Sequence, residues 1–134
     1  MIAGPIDKIA SGGELARFLL ALKVVLSTNE PPKTLIFDEV DSGVGGAVAA
    51  AVGARLARLG KKMQTLVITH SPQVASNGDH HLKIEKYQSG EQLLSNTVGL
   101  TEDERLEEIA RMLAGDEITA AARSAAAQLL KGDR

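Results

Sequence analysis

The chain contains no cysteine and no tryptophan, and aromatic residues make up only 2% of its 134 residues. A chain without cysteine forms no disulfide and offers no thiolate ligand to zinc. Because 44% of the residues are nonetheless hydrophobic, we expect an aliphatic core built from Leu, Ile, Val and Ala. No apolar run approaches the ~18 residues that span a bilayer, and the N-terminus lacks a signal-peptide pattern, so we expect no membrane contact and a cytoplasmic location.

The chain also lacks a large excess of charge of either sign, since its formal net charge is only −2. A protein whose main task is to grip phosphate backbones through a broad basic surface carries a clear positive excess. The composition therefore argues against a domain whose main task is to bind nucleic acid through a broad basic surface, and it leaves room for a small local basic patch. The length is sufficient for one domain with a modest core.

The order of predicted elements favours an α/β fold. Apolar residues at helical spacing follow Ser11 and predict a helix over 11–28, and two short apolar runs at 34–37 and 65–69 predict buried strands. An alanine-rich helix with Val48, Val52, Leu56 and Leu59 on one face lies between these strands. A strand, a helix and a strand in this order form the unit of a parallel sheet.

The pattern changes after Gly78. Residues 81–87 and 92–98 predict a β-hairpin around a turn at 88–91. Thr101 and Glu104 predict a capping box at the start of a helix that Gly115 ends, with a buried face of Leu106, Ile109, Ala110 and Leu113. A last helix is predicted from about Ile118 to Leu130.

The helix start at Ser11, Gly12, Gly13 and Glu14 has two interpretations. The first is a capping box, with Ser11 as the N-cap and Glu14 as its partner. The second is a phosphate contact, because the two glycines bare backbone N–H groups at the positive end of the helix dipole. Both interpretations can hold at once.

Adjacent acids, Asp38 and Glu39, end the first predicted strand. Ligands of α/β proteins bind at the carboxyl ends of parallel strands. A carboxylate there can hold Mg²⁺, and its neighbour can orient water; the alternative is a strand that ends in solvated acids.

His70 follows the second predicted strand, where a lone histidine is catalytic, structural or simply exposed. His80 and His81 have no acid or third ligand at metal spacing, and we interpret them as structural.

The order of these parts resembles the ABC ATPase superfamily. Ser11 to Glu14 is similar to the signature motif, residues 34–39 to Walker B, and 40–46 to the D-loop. The resemblance implies that Glu39 is the catalytic glutamate, that Asp38 binds Mg²⁺, and that His70 is the switch histidine. The implied fold is the C-terminal lobe of a P-loop NTPase head, with short parallel strands, flanking helices, a hairpin and two C-terminal helices over 101–131.

Three stretches resemble the RecN family of bacterial DNA repair ATPases, which is related to the SMC proteins. They are residues 8–17, residues 36–43, and the tail from Glu104 to Thr119. Many ABC proteins have an aspartate where this chain has Gly45, whereas the RecN type is glycine-rich there. This departure leaves Asp41 with two possible roles, a contact to a partner subunit at the nucleotide or a cap of the turn.

A Walker A string, G-x-x-x-x-G-K-[ST], is absent from the chain, and no heptad run is present. The resemblance implies that Walker A lies in an N-terminal lobe of the same head. We therefore expect a single partial domain over 1–134, a piece of a longer protein, that does not hydrolyse ATP alone. An isolated lobe is also expected to expose sheet edges and an apolar face.

The resemblance further implies a set of cofactors and partners. ATP and Mg²⁺ need the missing lobe for full binding, and a second head pairs with the first in an ATP-dependent dimer. DNA is bound through the complete protein, in the bacterial nucleoid, during double-strand break repair. The alternatives are a head lobe of another SMC, cohesin-type or ABC ATPase, and a non-catalytic head-pairing module.

Overall fold

A computed structural model of the chain describes residue 21 and residues 34–90, 92–115 and 117–132. The chain divides between Asn77 and Gly78 into two compact units, at the position where the sequence pattern changes. Of the predicted helix over 11–28, only Ala21 lies among the described residues, and it is helical. The rest of that helix, with Ser11, Gly12, Gly13 and Glu14, lies outside the described residues.

The first unit contains a strand–helix–strand arrangement. Strand β1 spans Thr34–Asp38, helix α1 spans Gly46–Gly60, strand β2 spans Gln64–Ile68, and the short helix α2 spans Pro72–Ala75. The two strands pair in parallel, with Ile36 opposite Leu66 and Asp38 opposite Ile68. The predicted parallel unit is therefore confirmed for this part of the chain.

The core of the first unit lies on one face of the two strands. Leu35 and Phe37 point into it from β1, and side chains of α1 cover them, because strand residues alternate between faces. The buried cluster consists of Leu35, Phe37, Val40, Ala49, Val52, Leu56, Leu59 and Val74. It contains one aromatic side chain, in keeping with the aliphatic core expected from the composition.

The opposite face of the strands is open. Ile36, Leu66 and Ile68 are 60%, 43% and 49% exposed. The predicted burial of the strands holds for one face only: helix α1 covers Leu35 and Phe37, and among the described residues the other face stays exposed. The expected exposed apolar face is present.

Helix α1 packs through smaller residues than the sequence analysis predicted. Val48 is exposed, and Ala49 takes its place in the buried stripe. Gly53 is also buried, and a Cβ built on it would lie 2.9 Å from the Gln73 carbonyl oxygen and 3.2 Å from the Val74 Cα. The absent side chain therefore allows the backbone of α2 to lie directly against α1.

The second unit pairs a hairpin with two helices. Strand β3 spans Leu82–Ser89 and β4 spans Gln92–Gly99, in antiparallel register down to Ser89 opposite Gln92. The strands run further into the predicted turn than expected, because Gly90 adopts a positive φ of 63° that suits a two-residue turn. Helix α3 spans Glu102–Ala114 and α4 spans Ala120–Lys131.

The predicted capping box of α3 is confirmed. The Thr101 side chain accepts from the Glu104 backbone N–H, and the Glu104 carboxylate accepts from the Thr101 N–H at 2.8 Å. The hydrogen bond from the Thr101 N–H, and then the one from the Thr101 hydroxyl at 2.9 Å, hold the pKa of the Glu104 carboxyl below its usual value. Gly115 ends the helix as predicted.

The buried face of α3 differs from the predicted one. Ile109 and Ala110 are buried as expected, but Leu113 is 36% exposed, while Arg105 and Glu108 are buried. Arg105 donates to the Gly78 carbonyl oxygen. These charged side chains can be buried because they have hydrogen-bond and ionic partners. A prediction from the spacing of apolar residues alone does not place them on the buried face.

Glu108 is the centre of an ionic cluster in the second unit. It accepts from Arg111 Nε at 3.0 and 3.1 Å, and Lys83 Nζ lies 3.1 Å from its Oε2. The hydrogen bonds from Arg111 and then Lys83 lower the pKa of Glu108, against the opposing effect of burial. The cluster joins β3 to α3.

Close packing at Gly53 predicts a local cost of adding one methyl group. Gly53→Ala should destabilise the chain by about 1–3 kcal/mol, because its Cβ meets backbone atoms that cannot rotate away. The measurement is urea unfolding followed by circular dichroism. Gly60→Ala is the matched control, since nothing lies within 4 Å of a Cβ there, and it should leave the stability unchanged or slightly raised. Equal stability of the two variants would contradict the packing described for Gly53.

The ionic cluster predicts a pH-dependent stability. Glu108→Gln should cost about 1–3 kcal/mol near neutral pH, because Arg111 and Lys83 lose a charged acceptor. The folded pKa of Glu108 is lowered, so its contribution is fully present above the unfolded pKa of about 4.3 and is lost as the pH falls through the folded pKa.

The measurement is thermal unfolding of the wild type and Glu108→Gln between about pH 7 and about pH 3. The difference between the two proteins should shrink on the acid side. Glu117→Gln, which changes an exposed carboxylate, is the control and should follow the wild type throughout. A difference that stays constant with pH would rule out the ionised carboxylate as its source.

Candidate functional site

The carboxyl ends of β1 and β2 form a shared edge, which we call the rim. It comprises Asp38, the last residue of β1, with Glu39 to Asp41 after it, and Thr69 to Ser71 after β2. Asp38 is paired with Ile68. The Glu39 N–H donates to the Ile68 carbonyl oxygen at 3.0 Å, which continues the ladder one residue past β1. Asp38 and Glu39 at the end of β1, and His70 just after β2, therefore lie at the same edge of the sheet.

Glu39 adopts an unusual backbone conformation. Its φ is 47°, and no other non-glycine residue among those described has a positive φ. This left-handed region costs an L-residue with a side chain roughly 1–2 kcal/mol. Two backbone bonds hold the residue there, because its N–H donates to Ile68 and its carbonyl accepts from the Ser42 N–H at 3.0 Å.

The strain at Glu39 has a consequence for the side chain. Residues held in sparsely populated backbone regions cluster at functional sites. The Glu39 and Asp38 side chains are both exposed at the rim. The turn therefore presents two carboxylates to solvent, at the end of the sheet where α/β proteins bind ligands.

Asp41 behaves differently from the two preceding acids. It is 5% exposed, and its Oδ2 accepts from the Thr69 hydroxyl at 2.5 Å. Its Oδ1 is buried and has no hydrogen-bond partner among the described residues. Asp41 therefore points inward, toward the end of β2, and its predicted contact with nucleotide stays untested.

His70 lies between Thr69 and Ser71, which are joined by a hydrogen bond to the Thr69 hydroxyl. Thr69 Oγ1 donates to Asp41 and accepts from the Ser71 N–H at 2.9 Å. The His70 side chain is exposed. The motif order pointed to His70 and gave Thr69 no role, although a hydroxyl residue directly before the histidine was a signal in the sequence.

Helix α2 follows His70 after one intervening residue and lies against α1 at Gly53. Pro72 occupies its first turn, as predicted. Ser71 is the N-cap, and its hydroxyl donates to the Gln73 side chain at 2.9 Å. The segment that carries His70 is therefore anchored on both sides, by β2 before it and by α2 after it.

The other histidines lie in the second unit. His81 is partly buried, and burial lowers its pKa, with repulsion from Arg105 adding to the effect. His80 is exposed. Over the described ranges, no group of three or more His, Cys, Asp or Glu side chains is arranged to enclose a metal ion.

The comparisons with known proteins agree closely with one another. The chain is 48% identical to the DNA repair protein RecN of Streptomyces coelicolor over 98% of its length. It is 49% identical to RecN of Rickettsia felis over 97% of its length, and 49% identical to RecN of Deinococcus radiodurans over 88%. The chain is homologous to the C-terminal part of RecN. It spans 21–24% of the length of these RecN proteins, and no family model matches it.

Solved structures support the same fold. One is a structure from work on the ATP-driven dimerization and DNA-stimulated activation of SMC ATPases. The superposition covers 82% of this chain and 66% of the length of that structure, with a TM-score of 0.62 and 22% sequence identity. The Smc head domain of Pyrococcus yayanosii matches 76% of this chain and 19% of its own, with a TM-score of 0.63 and 24% identity. The chain thus has an α/β fold like part of an SMC ATPase head, as the sequence predicted. None of its described helices is long and apolar enough to cross a bilayer.

Proposed function

We propose that this chain supplies the C-terminal lobe of a RecN ATPase head, and that the rim is its half of a nucleotide-hydrolysis site. One observation carries the proposal: in a homologue of RecN, Asp38, Glu39 and His70 leave two paired parallel strands at the same edge. In the complete protein the head binds and hydrolyses ATP during DNA double-strand break repair. The proposed location is the bacterial cytoplasm, at the nucleoid.

Asp38 is the proposed Mg²⁺ ligand. Its carboxylate is exposed at the end of β1, and Mg²⁺ is commonly held by one or two carboxylates together with waters and substrate phosphates. A site with few protein ligands fits the described residues, which hold no ready-made cage of three. When bound, the ion would neutralise charge on the phosphates.

Glu39 is proposed to orient the water that attacks the γ-phosphate, and His70 to contact that phosphate. Phosphoryl transfer depends mainly on positioning and charge stabilisation. The strained backbone at Glu39 supports this role, because the turn holds its carboxylate outside the sheet while both backbone groups are fixed. His70 is exposed and follows the end of the neighbouring strand β2, at the same edge of the sheet.

The remaining components of the site are proposed to come from elsewhere. Walker A belongs to the N-terminal lobe of the same head, so the chain alone does not turn over ATP. The signature residues Ser11, Gly12, Gly13 and Glu14 would contact ATP held by a second head, which couples ATP binding to head pairing. DNA engages the complete protein.

A charge-neutral variant tests the role of Glu39. In the complete protein, Glu39→Gln should reduce ATP turnover by on the order of 10²-fold or more, because an amide is a poor acceptor for the proton of the attacking water. ATP binding should persist, and the heads should accumulate in the paired state. Glu117→Gln is the control with the same substitution at an exposed site and should hydrolyse normally. Normal turnover of Glu39→Gln would exclude Glu39 as the water-orienting group.

A bulky charged variant tests the role of Ser11 across the dimer. Ser11→Arg should block ATP-dependent pairing, measured by sedimentation, and leave nucleotide affinity of its own head intact. The reason is that the signature contacts nucleotide on the other head. Ser124→Arg, on the exposed surface of α4, is the matched control and should pair normally. Lost ATP affinity with Ser11→Arg would contradict the assignment to the opposite head.

A further inference from the structure

The described residues include a backbone bond and a side-chain bond that connect the loop after β1 to the end of β2 and the residue after it. The first is the backbone bond from the Glu39 N–H to Ile68. The second is the side-chain bond between Asp41 and Thr69. The first bond fixes the point where the two strands separate. The second bond lies beyond that point and joins the loop after β1 to the segment after β2.

The second bond is part of a longer connection. Thr69 Oγ1 gives its proton to Asp41 Oδ2 and accepts from the Ser71 N–H at 2.9 Å. The Asp41 carboxylate therefore fixes the orientation of the Thr69 hydroxyl. That hydroxyl in turn accepts from the Ser71 backbone, on the far side of His70. The residue between Thr69 and Ser71 has little freedom to turn while this connection is intact.

The burial of Asp41 makes this connection costly to lose. A buried carboxylate is destabilised unless its oxygens accept hydrogen bonds. Thr69 supplies a bond to Oδ2, while Oδ1 accepts none from the described residues. Because the Thr69 hydroxyl supplies a hydrogen bond to this buried carboxylate, the bond is strongly favoured, and it holds the loop after β1 and the segment after β2 in one relative position.

We propose that Asp41 is a positioning residue: acting through Thr69, it holds the His70 segment in register with the turn that carries Glu39. This inference rests on the proposed ATPase function, and it assigns Asp41 a role within its own head, in place of a nucleotide contact. The position of the His70 segment relative to Glu39 then depends on one buried carboxylate, that of Asp41.

Threonine variants test the proposal in the complete protein. Thr69→Val keeps the shape of the side chain but removes the hydroxyl, and it should lower kcat about tenfold or more with little change in KM for ATP. Thr69→Ser restores the hydroxyl and should return kcat to within about threefold of the wild type. Thr65→Val makes the same change at the other end of β2, where the hydroxyl donates to Met63, and should leave kcat unchanged.

A double-mutant comparison tests whether Asp41 and Thr69 act together. If one shared bond carries the effect, Asp41→Ala combined with Thr69→Val should lower kcat no further than the more severe single variant. Multiplicative losses would show that the two residues act separately and would overturn the proposal. If Asp41→Ala fails to fold, the threonine series decides alone.

The outcomes separate this inference from the proposed function. A wild-type protein without ATP turnover removes the proposed function, and the inference with it. A wild type that hydrolyses ATP, together with a Thr69→Val variant of equal kcat, removes the positioning role only. Loss of kcat in Thr69→Val that Thr69→Ser does not restore would likewise overturn it, because the hydroxyl would then not be the active feature.

Discussion

The parallel pairing of β1 with β2 is the constraint on which the rest of the first unit depends. The register brings Asp38 opposite Ile68, and the next backbone bond sets where the two chains part. Helix α1 connects these strands and covers one face of them with aliphatic side chains. A register shift of one residue would turn Leu35 and Phe37 outward, so the same apolar pattern that builds the core also fixes the rim.

Much of this arrangement follows from local patterns in the sequence. The strand–helix–strand unit, the hairpin and the Thr101–Glu104 capping box were predicted because periodicity and capping act over a few residues. The positions of Asp38 and His70 on one edge followed from the parallel topology alone. The order of the motifs predicted a resemblance to the RecN family, and the identity to RecN proteins then supported that prediction.

The features that the sequence did not predict depend on long-range contacts. The inward orientation of Asp41 needs Thr69 beside it, 28 residues further along the chain. Gly53 resembles any helical glycine until α2 is placed against it. Leu113 is exposed where burial was predicted, and the buried Glu108, which the apolar pattern did not include, has Lys83 and Arg111 as charged partners. Periodicity ranks residues by hydrophobicity, and it has no access to such partners.

The positive φ at Glu39 bears on how this protein could be engineered. A stability-driven redesign would place glycine there, since glycine occupies the left-handed region without steric penalty and commonly raises stability at such sites. The redesigned chain would then be better folded and would have lost a carboxylate from the rim. Stability screens and activity screens are therefore expected to select opposite residues at this one position.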